Sequence, residues 1–263
     1  MKFEQIRNAT IVLEYADKKF LVDPWLAPQG SNGTFKELGM QSEAICAEHN
    51  ELAMPICALP KSVAEILNGV DYYIITHIHP DHIDMCPDGT VGKDLNHNTP
   101  VFVQNKDDAE VLKKSGFTDV QVMTENTQIG EIMLIKTPAL HGTKVPCGEA
   151  SGFILQHKNE KSVYVAGDTI FYDEVQKTLQ QYQPEVIILN ACAATFNTFG
   201  RLIMDDGDVA NVYEVCPNAK IIASHMDNVA HATLNRQTIS EKLHQRNIAD
   251  KILIPSDGEI YQF

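Results

Sequence analysis

The 263-residue sequence has no C-x-x-C pair, no run of basic residues and no long apolar stretch. Its six cysteines (Cys46, Cys57, Cys86, Cys147, Cys192 and Cys216) stand far apart. That spacing argues against a disulfide scaffold and for free thiols in a reduced, cytoplasmic protein. The 21 Lys and Arg residues are scattered among 35 Asp and Glu, giving a formal charge of −14. A nucleic-acid partner is thereby disfavoured, because phosphates call for a basic face. Nothing approaches the roughly 18 consecutive apolar residues of a membrane span. Met1 to Tyr15 also lacks the cationic and apolar regions of a signal peptide. Whether the chain forms a homo-oligomer is left open. What the chain does have is apolar content: 44% of its residues are hydrophobic, enough for one large α/β core.

Periodicity places the elements. Lys2 to Arg7, Ala9 to Glu14 and Lys18 to Val22 read as opening strands. From Pro24 to Asn50 the periodic signal is lost, with Gly30, Gly33 and Gly39 breaking it, and Ala53 to Pro60 adds two prolines. An irregular stretch of this length, 24–61, is expected to be a lid or a surface insertion. Ser62 and Glu65 form a capping box for a short helix. Beyond residue 100, strands (Val101 to Val103, Asp119 to Met123, Glu131 to Thr137, Gly152 to Gln156, Ser162 to Ala166, Val186 to Leu189, Lys220 to Ala223, Lys251 to Ile254) are followed by or alternate with helices. The helices are a short one after Asn105, Tyr172 to Tyr182, Asp208 to Cys216 and Asn235 to Arg246. Asp257-Gly258 turns into a last strand, Glu259 to Phe263. With no linker or internal repeat, a single domain is the simplest account.

The chemistry is concentrated just after Tyr72 to Thr76, an apolar run that reads as a buried strand. There His77, His79, Asp81 and His82 spell H-x-H-x-D-H. Neutral imidazole nitrogen and carboxylate oxygen are the usual ligands of a divalent metal. Three further residues occupy equivalent places past strand ends: His141, Asp168 in Gly-Asp-Thr, and His225. Any one of them alone is more often a hydrogen-bonded structural residue or a turn. Together, five histidines and two aspartates can clothe two adjacent ions and leave room for water, more than a four-ligand structural zinc needs. The remaining histidines lack this placement. His157 and His244 read as ordinary strand and helix residues, and His97 as a loop residue; a role at the site is open for His49 and His231.

On these motifs, with Asp23 in Leu-Val-Asp-Pro, the chain resembles the metallo-β-lactamase superfamily of metal-dependent hydrolases over nearly its whole length. The resemblance implies a four-layered αβ/βα sandwich, an α/β single domain with its site at one edge. It implies that His77, His79 and His141 hold one ion, that Asp81, His82 and His225 hold a second, and that Asp168 bridges them. Asp23 would steady the histidine loop. The Leu-Val-Asp-Pro segment, the long insertion and the helix before the metal strand are similar to the L-ascorbate-6-phosphate lactonase-like branch. The segment Asn190 to Gly200 departs from that branch's pattern, with Asn190-Ala191-Cys192 where a Pro- and Gly-rich turn is expected.

The function implied is hydrolysis of a small ester, lactone or phosphoester by a metal-bridged hydroxide, with Asp81 and Asp168 as the catalytic carboxylates. Zn²⁺, Mn²⁺ and Fe²⁺ all suit five His and two Asp. A net positive centre favours an anionic small-molecule substrate, with Lys144 and Arg201 as candidate anion contacts and Trp25 as a candidate pocket wall. Two other readings stand beside this one: a phosphodiesterase acting on a nucleotide or lipid head group, and a non-catalytic metal-binding sensor or scaffold.

Overall fold

The computed structural model describes all 263 residues. The chain opens with an antiparallel meander of β1 (Lys2–Arg7), β2 (Thr10–Tyr15) and β3 (Lys18–Val22). Three strands then add in parallel: β4 (Tyr72–Ile75), β5 (Val101–Val103) and β6 (Val120–Val122). The second sheet begins antiparallel, through β7 (Thr127–Ile129), β8 (Ile132–Pro138), β9 (Ser151–His157) and β10 (Glu160–Val165). β11 (Val186–Asn190) continues it in parallel. A separate two-stranded hairpin follows, β12 (Thr195–Phe196) and β13 (Gly200–Arg201). β14 (Lys220–Ser224) and β15 (Ile252–Leu253) complete the parallel part, and β16 (Ile260–Gln262) returns to pair with β1. Each main sheet has seven strands.

Side chains alternate along each strand, so every strand feeds two cores. In β3, Phe20 and Val22 join Ile74, Phe102, Phe153, Val163 and Ile188 in the layer between the sheets, while Leu21 faces outward. Outside the first sheet, Leu21, Tyr73 and Val103 meet Ile66 of α1 (Val63–Leu67) and Leu112 of α2 (Lys106–Lys114). Outside the second, Ile187 and Ile221 meet Val175, Val212 and Ile239 of α3 (Asp173–Tyr182), α4 (Asp206–Val215) and α5 (Arg236–Gln245). The result is the four-layered αβ/βα arrangement. No helix is long and apolar enough to cross a membrane.

The sequence reading did not anticipate β7, the β12–β13 hairpin or two 3-10 turns at Gln41–Glu43 and Ala47–Glu51. These pieces are two to five residues long, too short for periodicity to register. The 24–61 segment is fastened to the hairpin. Asn197 Nδ2 donates to the carbonyls of Ser42 (2.8 Å) and Ala44 (3.0 Å), and the Thr198 amide donates to Glu43 Oε2 (2.9 Å). Phe35 of the segment is buried against Phe196, with ring centroids 5.8 Å apart.

Candidate metal centre

Four strands bring ligand-type side chains to one edge of the sandwich: His77, His79, Asp81 and His82 follow β4, His141 follows β8, Asp168 follows β10 and His225 follows β14. The backbone there is constrained. Gly167 has φ +65°, and a Cβ on it would sit 2.5 Å from the Ser151 carbonyl oxygen, so only glycine can deliver Asp168. Asn8, Asp23 and His225 are non-glycine residues with φ of 53°, 45° and 64°. Such conformations cost free energy and persist where the surroundings over-determine them.

Three sets of ligand atoms gather within 4.8 Å of one another: His77, His79 and His141; Asp81, His82 and His225; and a linking set of His77, His82 and Asp168. Asp168 lies between the two outer sets. Its Oδ2 is 3.3 Å from His82 Nε2, 3.7 Å from His141 Nε2 and 3.9 Å from His77 Nε2, and its Oδ1 is 4.0 Å from His225 Nε2. His225 Nε2 is also 3.3 Å from Asp81 Oδ2. Despite its distance to Asp168, His82 Nε2 completes no hydrogen bond and is sealed from solvent. An imidazole nitrogen buried, aimed into a cluster of donors and unmatched is what a divalent ion would satisfy.

Four of the five imidazoles are oriented by what their other nitrogen touches. His82 Nδ1 lies 2.9 Å from Asp23 Oδ2, and the same carboxylate accepts from the Thr76 amide and hydroxyl, both at 2.8 Å. Asp23 therefore fixes both the histidine and the start of the loop that carries it. His77 Nδ1 meets Thr76 Oγ1 at 3.2 Å, His141 Nδ1 meets the Leu202 carbonyl at 3.2 Å, and His225 Nδ1 meets Cys192 Sγ at 3.5 Å.

The electrostatics divide the cluster. Burial pushes His77, His79 and His141 down, His79 to about 4. Burial also opposes charge on His82, but Asp168 and Asp23 outweigh it and lift that imidazole to about 10. His225 rises well above its ordinary value, because the Cys192 sulfur and the carboxylates of Asp168 and Asp81 overcome its burial. Burial alone would raise Asp81 and Asp168. The neighbouring His225 and His82 instead hold both well below the usual carboxylate range.

Two residues that the sequence reading passed over as site residues also take part. Asn190 Nδ2 donates to Asp168 Oδ1 at 2.7 Å, and Asn8 Nδ2 reaches the Asp81 carbonyl (3.0 Å) and His225 Nε2 (3.1 Å). Asn190 ends β11, a strand-end position like those of the candidate ligands, and that was its available signal.

The expected substrate contacts are engaged with other groups of the protein or buried. Arg201 is committed to Asp208 Oδ2 (2.6 Å), the Ile203 carbonyl (2.6 Å) and Asp205 Oδ2 (3.2 Å). Lys144 Nζ donates to the Asn197 carbonyl at 3.0 Å. Trp25 is fully buried beneath the Arg7 guanidinium, which lies 4.8 Å from its ring centroid. His49, in the 24–61 segment, stands in no candidate ligand set. A surface cavity of about 920 Å³ borders the cluster at His141 but includes none of the other six candidate ligands.

A family model described as a beta-lactamase superfamily domain matches residues 18–226. The chain is 40% identical over 267 residues to the UPF0173 protein YddR of Bacillus subtilis, covering all of both chains. It is 24% identical over 209 residues to a UPF0173 metal-dependent hydrolase of Methanosphaerula palustris, covering 74% of this chain and 88% of that one. Among solved structures, an isothiocyanate hydrolase from Delia radicum gut bacteria superposes with a TM-score of 0.89 at 34% identity, covering 100% of this chain and 99% of the other.

Proposed function

Because this chain belongs to the UPF0173 metal-dependent hydrolases of the β-lactamase superfamily, we propose that it hydrolyses small, uncharged carbon electrophiles with two divalent ions. Esters, lactones and isothiocyanates are the classes meant. His77, His79 and His141 would hold one ion and Asp81, His82 and His225 the other, with Asp168 shared. Zn²⁺, Mn²⁺ or Fe²⁺ suits this donor set. Ions bound there would supply water activated near neutral pH and Lewis acidity toward the substrate. The chain's own groups do the remaining work. Asn190 holds Asp168 Oδ1, which leaves Oδ2 turned toward the cluster to orient a water and take its proton. Asp81, close to His225, holds the opposite side.

One observation carries the choice of substrate class. The two cations placed to meet an anionic substrate are both engaged within the protein, while Phe35, Phe196 and His231 form an aromatic stack beside the hairpin. Phosphoesters are therefore less suited than neutral carbon electrophiles. The whole-length similarity to an isothiocyanate hydrolase supports the same choice. For an isothiocyanate the reaction balances simply: water adds its oxygen to the central carbon and its protons to nitrogen, releasing an amine and carbonyl sulfide.

The test is a panel of phenyl acetate, γ-butyrolactone, benzyl isothiocyanate and bis(4-nitrophenyl) phosphate, assayed with Mn²⁺- and Zn²⁺-loaded protein and after chelation. Turnover confined to the carbon electrophiles and abolished by chelation is the expected result. Preference for the phosphodiester would replace this reading with a phosphodiesterase. Chelation that lowers only the melting temperature, with no turnover of any substrate, would leave a metal-binding scaffold.

A further inference from the structure

His231 is not among the candidate ligands, yet its environment is one that a structural histidine would not keep. It lies six residues past His225 and is more than nine-tenths buried, and its Nδ1 bonds to nothing. A buried ring nitrogen without a partner forfeits free energy, and native structures retain few such atoms without a reason. The ring has no freedom to find one. Phe196 stacks on it with centroids 4.6 Å apart and planes at 23°, and Phe35 approaches at 6.1 Å and 27°. Its backbone is pinned as well, the carbonyl accepting from the Thr195 amide at 2.9 Å. The stretch that carries it is tied to the candidate metal cluster: the Thr233 amide donates to the Cys192 carbonyl at 3.1 Å, and Cys192 Sγ lies 3.5 Å from His225 Nδ1.

The two phenylalanines come from the two pieces of chain with no regular place in the sandwich. Phe35 belongs to the 24–61 insertion and Phe196 to the β12–β13 hairpin, and the Asn197 and Thr198 contacts bind those pieces together. The insertion, the hairpin and the stretch after β14 thus meet at a single polar atom that lacks a partner within the protein. We propose that His231, clamped by Phe35 and Phe196, is a substrate-binding residue that hydrogen-bonds the polar atom of the electrophile while the half-buried Phe196 ring receives its apolar substituent. This inference rests on the reading of the site as one for uncharged carbon electrophiles, and it adds the residue and the wall that recognise them.

The experiment compares His231→Ala and His231→Gln with the wild type in metal-loaded form, using benzyl isothiocyanate and phenyl acetate. Metal content and melting temperature are measured for each protein. We expect His231→Ala to keep its metal and lose about 10- to 100-fold in kcat/KM, as for one lost hydrogen bond to a buried partner. His231→Gln, which keeps a donor, recovers part of that loss. Unchanged kcat/KM in His231→Ala, glutamine no better than alanine, or loss of bound metal would each overturn the proposal, the last by making His231 a ligand. A second measurement needs neither turnover nor a folded alanine variant: the ¹⁵N shifts of the wild-type His231 ring on adding N-benzylacetamide, an unreactive analogue. A shift at His231 supports the contact, and no shift overturns it. If the wild type turns over neither electrophile, the proposed function fails while the ring shift still decides the role of His231.

Discussion

The two halves of the cluster use the same side chain in opposite electrostatic states. His77, His79 and His141 are anchored by a hydroxyl, by one another and by a backbone carbonyl, and burial keeps them neutral. His82 lies between the carboxylates of Asp168 and Asp23, and His225 lies beside the Cys192 sulfur, Asp168 and Asp81, so these two are held protonated. Burial is nearly complete in both halves and cannot account for the difference. What decides it is whether a carboxylate stands within about 3 Å of the imidazole, since an opposite charge at that range outweighs desolvation. One half thus presents lone pairs ready for an ion. The other is a preassembled charge network that an ion must enter by displacing protons.

The largest effect comes from removing what the halves share. In Asp168→Ala the residue facing His77, His82, His141 and His225 is gone. Both halves are expected to lose metal, and kcat to fall by about 10³-fold or more, the scale of a lost metal contribution. Metal analysis beside the kinetics checks this. Full metal content in the variant would show that the halves do not depend on a common carboxylate.

The difference in protonation has its own pH signature. At pH 7 the His77 half is already neutral, and His79 stays so down to about pH 4, so an ion entering there displaces almost no proton. An ion entering the other half must displace protons from His82 (about 10) and His225. Its affinity should therefore rise with pH until those values are passed, by about 100-fold per pH unit for two protons. Calorimetric metal titrations in buffers of different ionisation enthalpy count the protons released. Equal release for both ions would remove the distinction.

How far the sequence revealed this division is uneven. The seven ligand-type residues were legible because each follows a strand end in a recognisable pattern, and the layered fold was legible because its strands and helices are long enough for periodicity to mark them. The protonation split was not legible. It depends on Asp23 and Asp168 lying beside His82 across 59 and 86 positions of sequence, a matter of sheet register. Asn8 falls in the turn between the first two strands, and its side chain reaches Asp81 and His225 only because β1 and β14 end at the same edge. Arg201 reads as an anion contact because nothing in the sequence pattern marks Asp205 and Asp208, four and seven positions on, as its counterions.

Asp23 offers a way to change one half alone. Asp23→Asn keeps the shape and one acceptor for the Thr76 amide but removes the charge beside His82. The pKa of His82 is expected to drop, which eases proton displacement at neutral pH. Above about pH 10, where His82 is deprotonated in either protein, the affinity for the ion on its side is expected to weaken by about 10- to 100-fold, the usual range for a lost outer-shell partner. Occupancy of the His77 half should be unchanged. Comparable weakening of both ions would mean that Asp23 acts through the loop backbone it grips, and not through its charge.

The smallest effect should come from Cys192, which fills for His225 the position that Asp23 fills for His82. A thiol 3.5 Å from Nδ1 is a weak partner, and the orientation of His225 is also fixed by its positive φ and by the Asn8 carbonyl that accepts its amide at 3.1 Å. Cys192→Ala is therefore expected to change metal affinity by no more than about threefold, within the range of a single weak hydrogen bond. Cys192→Ser, with a hydroxyl too short to close the gap fully, should fall between alanine and wild type. A tenfold loss in the alanine variant would show that the sulfur carries charge toward His225, and the two raised histidines of the Asp81 half would then be anchored in the same way, each by an anion behind it.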